Sequence, residues 1–180
     1  EMNGDLKRLS KVAYRFSQIG SGASLKPERL STIIDRVINY FNKRLPHTRK
    51  DIVIKKSFEV DPVIPVNSEL FEWVIENLIK NSVDAIESEK GLIEITISES
   101  KGKDKYFIDI KDNGKGIETR KRKDIFKPGY STKMRGWGLG LSLSKRIIED
   151  YHGGKLTLKE SKVGQGSIMR ITLENRKRGK

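Results

Sequence analysis

Cysteine is absent from the 180-residue chain. That excludes disulfides and cysteine-ligated metal sites, and it suits the cytosol. No apolar run approaches the ~18 residues a membrane-spanning helix requires, and nothing reads as a signal peptide. Apolar residues are scarce as well, 35% of the chain against 34% charged. Ile, Leu and Val nevertheless recur in periodic runs sufficient for a core, which argues against wholesale disorder.

What is abundant is positive charge. The formal net charge is +13, a balance open to nucleic acid, acidic membranes or anionic substrates. The densest runs are Arg120-Lys121-Arg122-Lys123 and Arg176-Lys177-Arg178 with Lys180. No aromatic residues interleave them as a single-strand binding platform requires, so they read as a solvated loop and a tail. No specific nucleic-acid partner is expected.

Helical periodicity is already running near Glu1, so the chain reads as a piece of something longer, with any membrane anchor or sensor upstream. Leu6, Leu9, Ala13 and Phe16 form a narrow helical stripe ending near Gly20-Ser21-Gly22, suited to packing against other helices. A second helix is expected from about Pro27, in its first turn, to about Arg44. Asp51 to Val60 reads as a strand ended by Asp61-Pro62 and Pro65. Asn67 or Ser68 can cap a long helix to about Glu87, with Phe71, Val74, Ile75, Leu78, Ala85 and Ile86 inward. Two alternating stretches, Leu92 to Glu99 and Tyr106 to Lys111, predict a hairpin. A third helix is expected from about Leu139 to Tyr151, and a last hairpin pairs Lys155 to Lys159 with Ser167 to Leu173. The order predicts an α+β layered sandwich with a mixed, mostly antiparallel sheet and helices on one face.

Four segments carry candidate chemistry. Asn77, Asn81 and Asp84 fall within roughly 60° of one another around the long helix, bordering its apolar face. Asp112-Asn113-Gly114-Lys115-Gly116-Ile117 follows a strand. It reads as a turn, or as a place where a flat ring approaches the backbone while the carboxylate accepts an amine hydrogen. Gly136-Trp137-Gly138-Leu139-Gly140-Leu141 opens a helix, where bare N–H groups suit phosphates. Gly164-Gln165-Gly166-Ser167 enters the last strand. The dinucleotide G-x-G-x-x-G fails because position 141 is Leu and no early β–α–β unit surrounds these glycines. No G-x-x-x-x-G-K-S/T is present.

In this order the segments resemble the boxes of the ATPase superfamily shared by gyrase, the ninety-kilodalton heat-shock chaperone, MutL repair proteins and histidine kinases. Glu76 to Ala85 is similar to its N box, Asp112 to Ile117 to its first glycine box, and Phe126 to Lys133 to its F box. Gly136 to Leu141 resembles the second glycine box, and Gly164 to Ser167 the final element. Ser131-Thr132-Lys133 followed by Gly-x-Gly-Leu-Gly-Leu looks like a histidine kinase. Asp5 to Phe16 resembles the end of that family's dimerisation and phosphoacceptor hairpin.

The resemblance implies a Bergerat-type ATP-binding fold at 21–180 behind a hairpin remnant at 1–20. It implies ATP and Mg²⁺. Asp112 accepts the adenine amino hydrogen, with Gly114, Gly116, Ile117 and Ser167 around the ring. Asn81 offers its amide oxygen to Mg²⁺, and Asn77 lies near the phosphates. Lys133 and Arg135 reach them from a lid spanning about Glu118 to Arg135, anchored by Ile125, Phe126 and Tyr130. The backbone of Gly136, Gly138, Leu139 and Gly140 holds the phosphate chain. The implied reaction moves the γ-phosphoryl to a histidine upstream of Glu1 and then to a response regulator receiver aspartate. The implied assembly is a cytoplasmic homodimer through the upstream hairpin, with membrane contact only through missing parts. Rival readings are an ATP-gated interaction module and a hydrolytic ATPase.

Two positions depart from the family pattern: Asp84 replaces a common lysine or arginine, and Gly129 replaces a second aromatic of the F box. His47 and His152 read as surface or structural, not as the phosphoacceptor.

Overall fold

The computed structural model describes residues 24–45, 51–131 and 138–174. The hairpin remnant, His47, Lys133, Arg135, Gly136 and the tail run Arg176 to Lys180 lie outside them.

Strict alternation builds the sheet. In β4 (Lys90–Glu99), Ile93, Ile95 and Ile97 are fully buried while the residues between them are only partly so. In β5 (Lys105–Asp112) the inward positions are Ile108, Ile110 and Asp112, and in β7 (Gly166–Glu174) they are Ser167, Met169, Ile171 and Leu173. With β2 (Asp51–Phe58) and β6 (Lys155–Lys162), the strand order is β2-β4-β5-β7-β6. Only the β2–β4 pair is parallel, so the sheet is mixed and mostly antiparallel as expected.

Helices supply the second layer. α1 (Leu30–Asn42) buries Leu30, Ile33, Ile34, Val37 and Ile38, a stripe at helical spacing. α2 (Ser68–Ala85) buries Leu70, Phe71, Val74, Ile75, Leu78, Ile79 and Ser82. Ile86, just beyond its end, is fully buried, whereas Ala85 is only partly covered. Asn67 caps α2, its side-chain oxygen accepting the Leu70 N–H at 3.0 Å. α3 (Gly140–Arg146) continues as a π-helical turn, Ile147–Tyr151.

Two expectations at prolines are corrected. Pro27 does not open a helix; it lies in β1 (Lys26–Arg29), which pairs antiparallel with β3 (Val63–Val66). Pro65 lies inside β3 and does not end a strand. The two prolines face each other in this register, at a sheet edge where neither must donate to a ladder. α1 therefore starts three residues after Pro27, its first turn held by a distant acid. The Asp61 carboxylate accepts the Ser31 N–H at 3.1 Å and the Ser31 hydroxyl at 2.8 Å. Negative charge at that end complements the helix dipole.

His152, expected to be surface or structural, proves structural. Its Nε2 accepts the Asn67 N–H at 3.1 Å and its Nδ1 donates to Ile147 O at 2.9 Å. Its ring meets Phe71 edge-on with centroids 5.6 Å apart. It ties the start of α2 to the end of the α3 helical segment.

Candidate nucleotide site

The same alternation that makes the core also makes the site. Asp112, Ser167 and Ser82 occupy core-facing positions on β5, β7 and α2, so this end of the core is polar. Asp112 is 5% exposed and pairs in register with Ser167. Its carboxylate accepts the Gly114 N–H at 2.9 Å and the Ser82 hydroxyl at 3.3 Å. Burial pushes the carboxyl above its usual range, and hydrogen bonding offsets only part of the effect.

The chain leaving β5 is pinned on both sides. A Cβ on Gly114 would lie 2.6 Å from Ala85 O, at the end of α2, and the Lys115 N–H donates to that carbonyl at 2.9 Å. Gly116 has φ +70°, and a Cβ there would lie 2.1 Å from Lys162 O on β6. Glycine is required at both because protein backbone, on the side where a side chain would stand, leaves no room for one. Ile117 then donates its N–H to Ser161 Oγ at 2.7 Å, and Ser161 Oγ lies 2.9 Å from Ser167 Oγ. Arg122, farther along this segment, donates from Nη2 to Ser161 O.

A second wall joins α2 to the start of α3. Asn77 Nδ2 donates to Ser144 Oγ at 2.9 Å, and a Cβ on Gly140 would lie 2.5 Å from Asn77 Oδ1. Asn81 follows one turn along α2 and is half-buried, whereas Asp84 is exposed. Gly138, at φ +63°, accepts the Gly129 N–H at 3.1 Å, so the F box touches the second glycine box at these two residues. Ile125 is buried and Phe126 packs on the core, with Lys145 Nζ 5.1 Å from its ring centroid.

The structure thus brings Asp112, Gly114, Gly116, Ile117 and Ser167 into one network, and Asn77 with Gly140 into another. Sequence reasoning passed over Ser82, Ser144, Ser161 and Arg122. Ser82 was findable: it continues the stripe Phe71, Ile75, Leu78 at helical spacing, a polar residue where an apolar one belongs. Ser144 stands likewise on the stripe that Ile147 and Ile148 continue. Ser161 and Arg122 carry no comparable signal.

A sequence model of the histidine kinase-, DNA gyrase B-, and HSP90-like ATPases matches residues 67–177. Sporulation kinase C of Bacillus subtilis is 34% identical over 173 residues, covering 94% of this chain and 39% of that protein. The sensor histidine kinase ZraS of Salmonella typhimurium is 39% identical over 181 residues, covering 96% of this chain and 36% of that protein. The chain therefore spans well under half the length of these curated relatives. The nucleotide-free catalytic domain of histidine kinase ThkA superposes with a TM-score of 0.71 at 26% identity, covering 83% of this chain and 97% of that one. ThkA in complex with the response regulator protein TrrA gives 0.73 at 22% identity, covering 96% and 48%. No helix among the described residues is long and apolar enough to cross a membrane. The matched segment contains the Asp112 pocket, the Asn77 wall and the strands that carry them, and the chain belongs to the histidine kinase-, DNA gyrase B- and HSP90-like ATPase family as an ATP-binding histidine-kinase catalytic domain.

Proposed function

We propose that this domain holds Mg-ATP and passes its γ-phosphoryl to a histidine on a helical hairpin that precedes it, from which a response regulator aspartate takes it. The observation that carries the reading is the bonding of Asp112. A carboxylate offers about four acceptor positions, and Ser82 and Gly114 occupy two of them. A further acceptor position suits one hydrogen of a purine amino group. A buried carboxylate with acceptor capacity to spare at a polar end of the core suits recognition of such a donor.

Asn77 and Asn81 line the other wall. Among the described residues no three His, Asp or Glu side chains could hold a metal together. The Asn81 amide oxygen would hold a Mg²⁺ ion whose other oxygens would come from phosphates and water. Such an ion neutralises charge on the phosphates in phosphoryl transfer. The glycine turn at Gly138, Leu139 and Gly140 supports the phosphate chain, and Lys133 and Arg135 contribute positive charge from the lid. Residues 21–180 form the catalytic unit in this reading. Residues 1–20 are the end of the dimerising hairpin of a cytoplasmic assembly.

Kinase and hydrolase differ at Asn77. In a hydrolase, a carboxylate four residues before the metal-binding asparagine can activate water; here that position holds an amide, which cannot accept a proton near neutral pH. Glu76 points about 100° away around α2. Incubation with γ-labelled ATP tests the reading. The chain alone should release negligible phosphate, and a matching histidine-bearing hairpin should become labelled when added. Brisk phosphate release by the chain alone, abolished by Glu76→Ala, would replace the kinase reading with a hydrolase.

A further inference from the structure

The Ser161 hydroxyl is a hub with one proton to give. It accepts the Ile117 N–H at 2.7 Å. Two acceptors compete for its own hydrogen: Ser167 Oγ at 2.9 Å and Gly166 O at 3.2 Å. Only the first lies within the usual range for a hydroxyl donating to oxygen, about 2.5–3.0 Å. Ser161 is 4% exposed and faces Ser167 in register across β6 and β7, so water does not substitute freely for either partner.

The direction of that bond decides what Ser167 can present. If Ser161 accepted from Ser167, the Ser167 proton would be consumed inside the protein and its oxygen would face the pocket as an acceptor. If Ser161 donates, Ser167 keeps its own proton for a ligand. Beside it, Asp112 can only accept. An acceptor next to a donor complements the edge of a 6-aminopurine, whose amino group donates and whose N1 accepts. It opposes a 6-oxopurine, in which both roles are reversed.

We propose that Ser161 is a positioning residue that fixes the pocket's specificity by donating its hydroxyl proton to Ser167, which leaves Ser167 a donor toward N1 of the purine. The proposal rests on the nucleotide reading above and adds to it a residue outside the matched boxes. Ser161 acts through Ser167 and Ile117, not on the ligand itself. Its carbonyl holds Arg122 independently, so side-chain variants leave that contact in place.

The test compares binding of ATP and 1-deaza-ATP, in which N1 is replaced by C–H, by calorimetry. The wild-type chain should prefer ATP by about tenfold, the worth of one hydrogen bond at the favourable end. With no Ser161 proton to hold its oxygen, the Ser167 hydroxyl turns freely, so Ser161→Ala should shrink that preference by about threefold or more, while Ser161→Thr, which retains the hydroxyl, restores it. Ser161→Cys keeps the buried volume with a weak donor. It should behave like Ser161→Ala, and it decides the matter should the alanine variant not fold. A loss of affinity equal for both nucleotides in the alanine and cysteine variants would make Ser161 a merely structural residue and overturn the proposal. Absence of ATP binding by the wild-type chain would overturn the nucleotide reading itself. ATP binding that falls in Asp112→Asn, with a preference insensitive to Ser161, would sink this inference alone.

Discussion

The Ser82 hydroxyl lies 3.3 Å from the Asp112 carboxylate, joining a helix residue to a strand residue at a polar end of the core. The bond ties α2, the helix that carries Asn77 and Asn81, to the end of β5.

Asp112→Asn should separate stability from binding. The folded protein holds this proton to higher pH than the unfolded chain does, because burial raises the carboxyl. Its contribution is therefore favourable at low pH and is lost as pH rises through the raised value, leaving an ionised carboxylate that costs stability near neutrality. Asparagine retains an acceptor for Gly114 and can donate to Ser82. Thermal melts at neutral pH should show an unchanged or higher midpoint, while ATP affinity falls by about 1.5–3 kcal/mol, the worth of a charge-assisted hydrogen bond. Undiminished affinity would remove Asp112 from the pocket.

Asn81→Ala should act only through the metal. Mg-ATP affinity is expected to drop while metal-free ADP binds nearly as before, because the proposed metal ligand leaves a half-buried helix position. Titrations with and without Mg²⁺ decide it. Equal losses in both would make Asn81 an ordinary helix residue.

Gly140→Ala should displace Asn77 without unfolding the domain. The added methyl would stand 2.5 Å from Asn77 Oδ1, and a side-chain tip can swing aside more cheaply than backbone. Mg-ATP affinity should fall by about the worth of one or two hydrogen bonds, ~1–3 kcal/mol, with a melting temperature close to wild type. A large fall in melting temperature would show that the α2–α3 contact is rigid and chiefly structural.

His152 should make stability depend on pH. Burial is the largest influence on its ring and lowers its basicity, against the opposing effect of its bond to Ile147 O. Protonation would also end acceptance of the Asn67 N–H by Nε2. Stability should be full above the ordinary imidazole value of about 6.5 and fall as pH drops through it toward the lowered folded value. His152→Phe keeps a ring against Phe71 but loses both hydrogen bonds. It should cost about 2 kcal/mol at neutral pH, and denaturant melts at a series of pH values should show a shallower acid slope. An unaltered slope would assign the acid sensitivity elsewhere.

Sequence periodicity revealed most of the fold because most elements have one buried face. The alternation of β4 and the stripes of α1 and α2 report that burial directly. It failed at β1 and β3, where strands of four residues carry prolines that local rules assign to turns and helix starts. The site was half legible for a similar reason. Asp112 breaks an apolar alternation and stands beside glycines, whereas Ser161 acquires its partners only when β6 meets β7. Arg122 reaches Ser161 across 39 positions of chain, a relation that no local window contains.

The sheet order β2-β4-β5-β7-β6 has a consequence for synthesis on the ribosome. The last described strand in the chain is an interior one: β7 separates β5 from β6, and β6 has no other neighbour in the sheet. A chain that has emerged only through β6 still lacks the strand that joins β6 to β5, and with it Ser167, the in-register neighbour of both Asp112 and Ser161. On the proposed reading, a chain clipped before β7 should therefore lose ATP binding altogether, not in part.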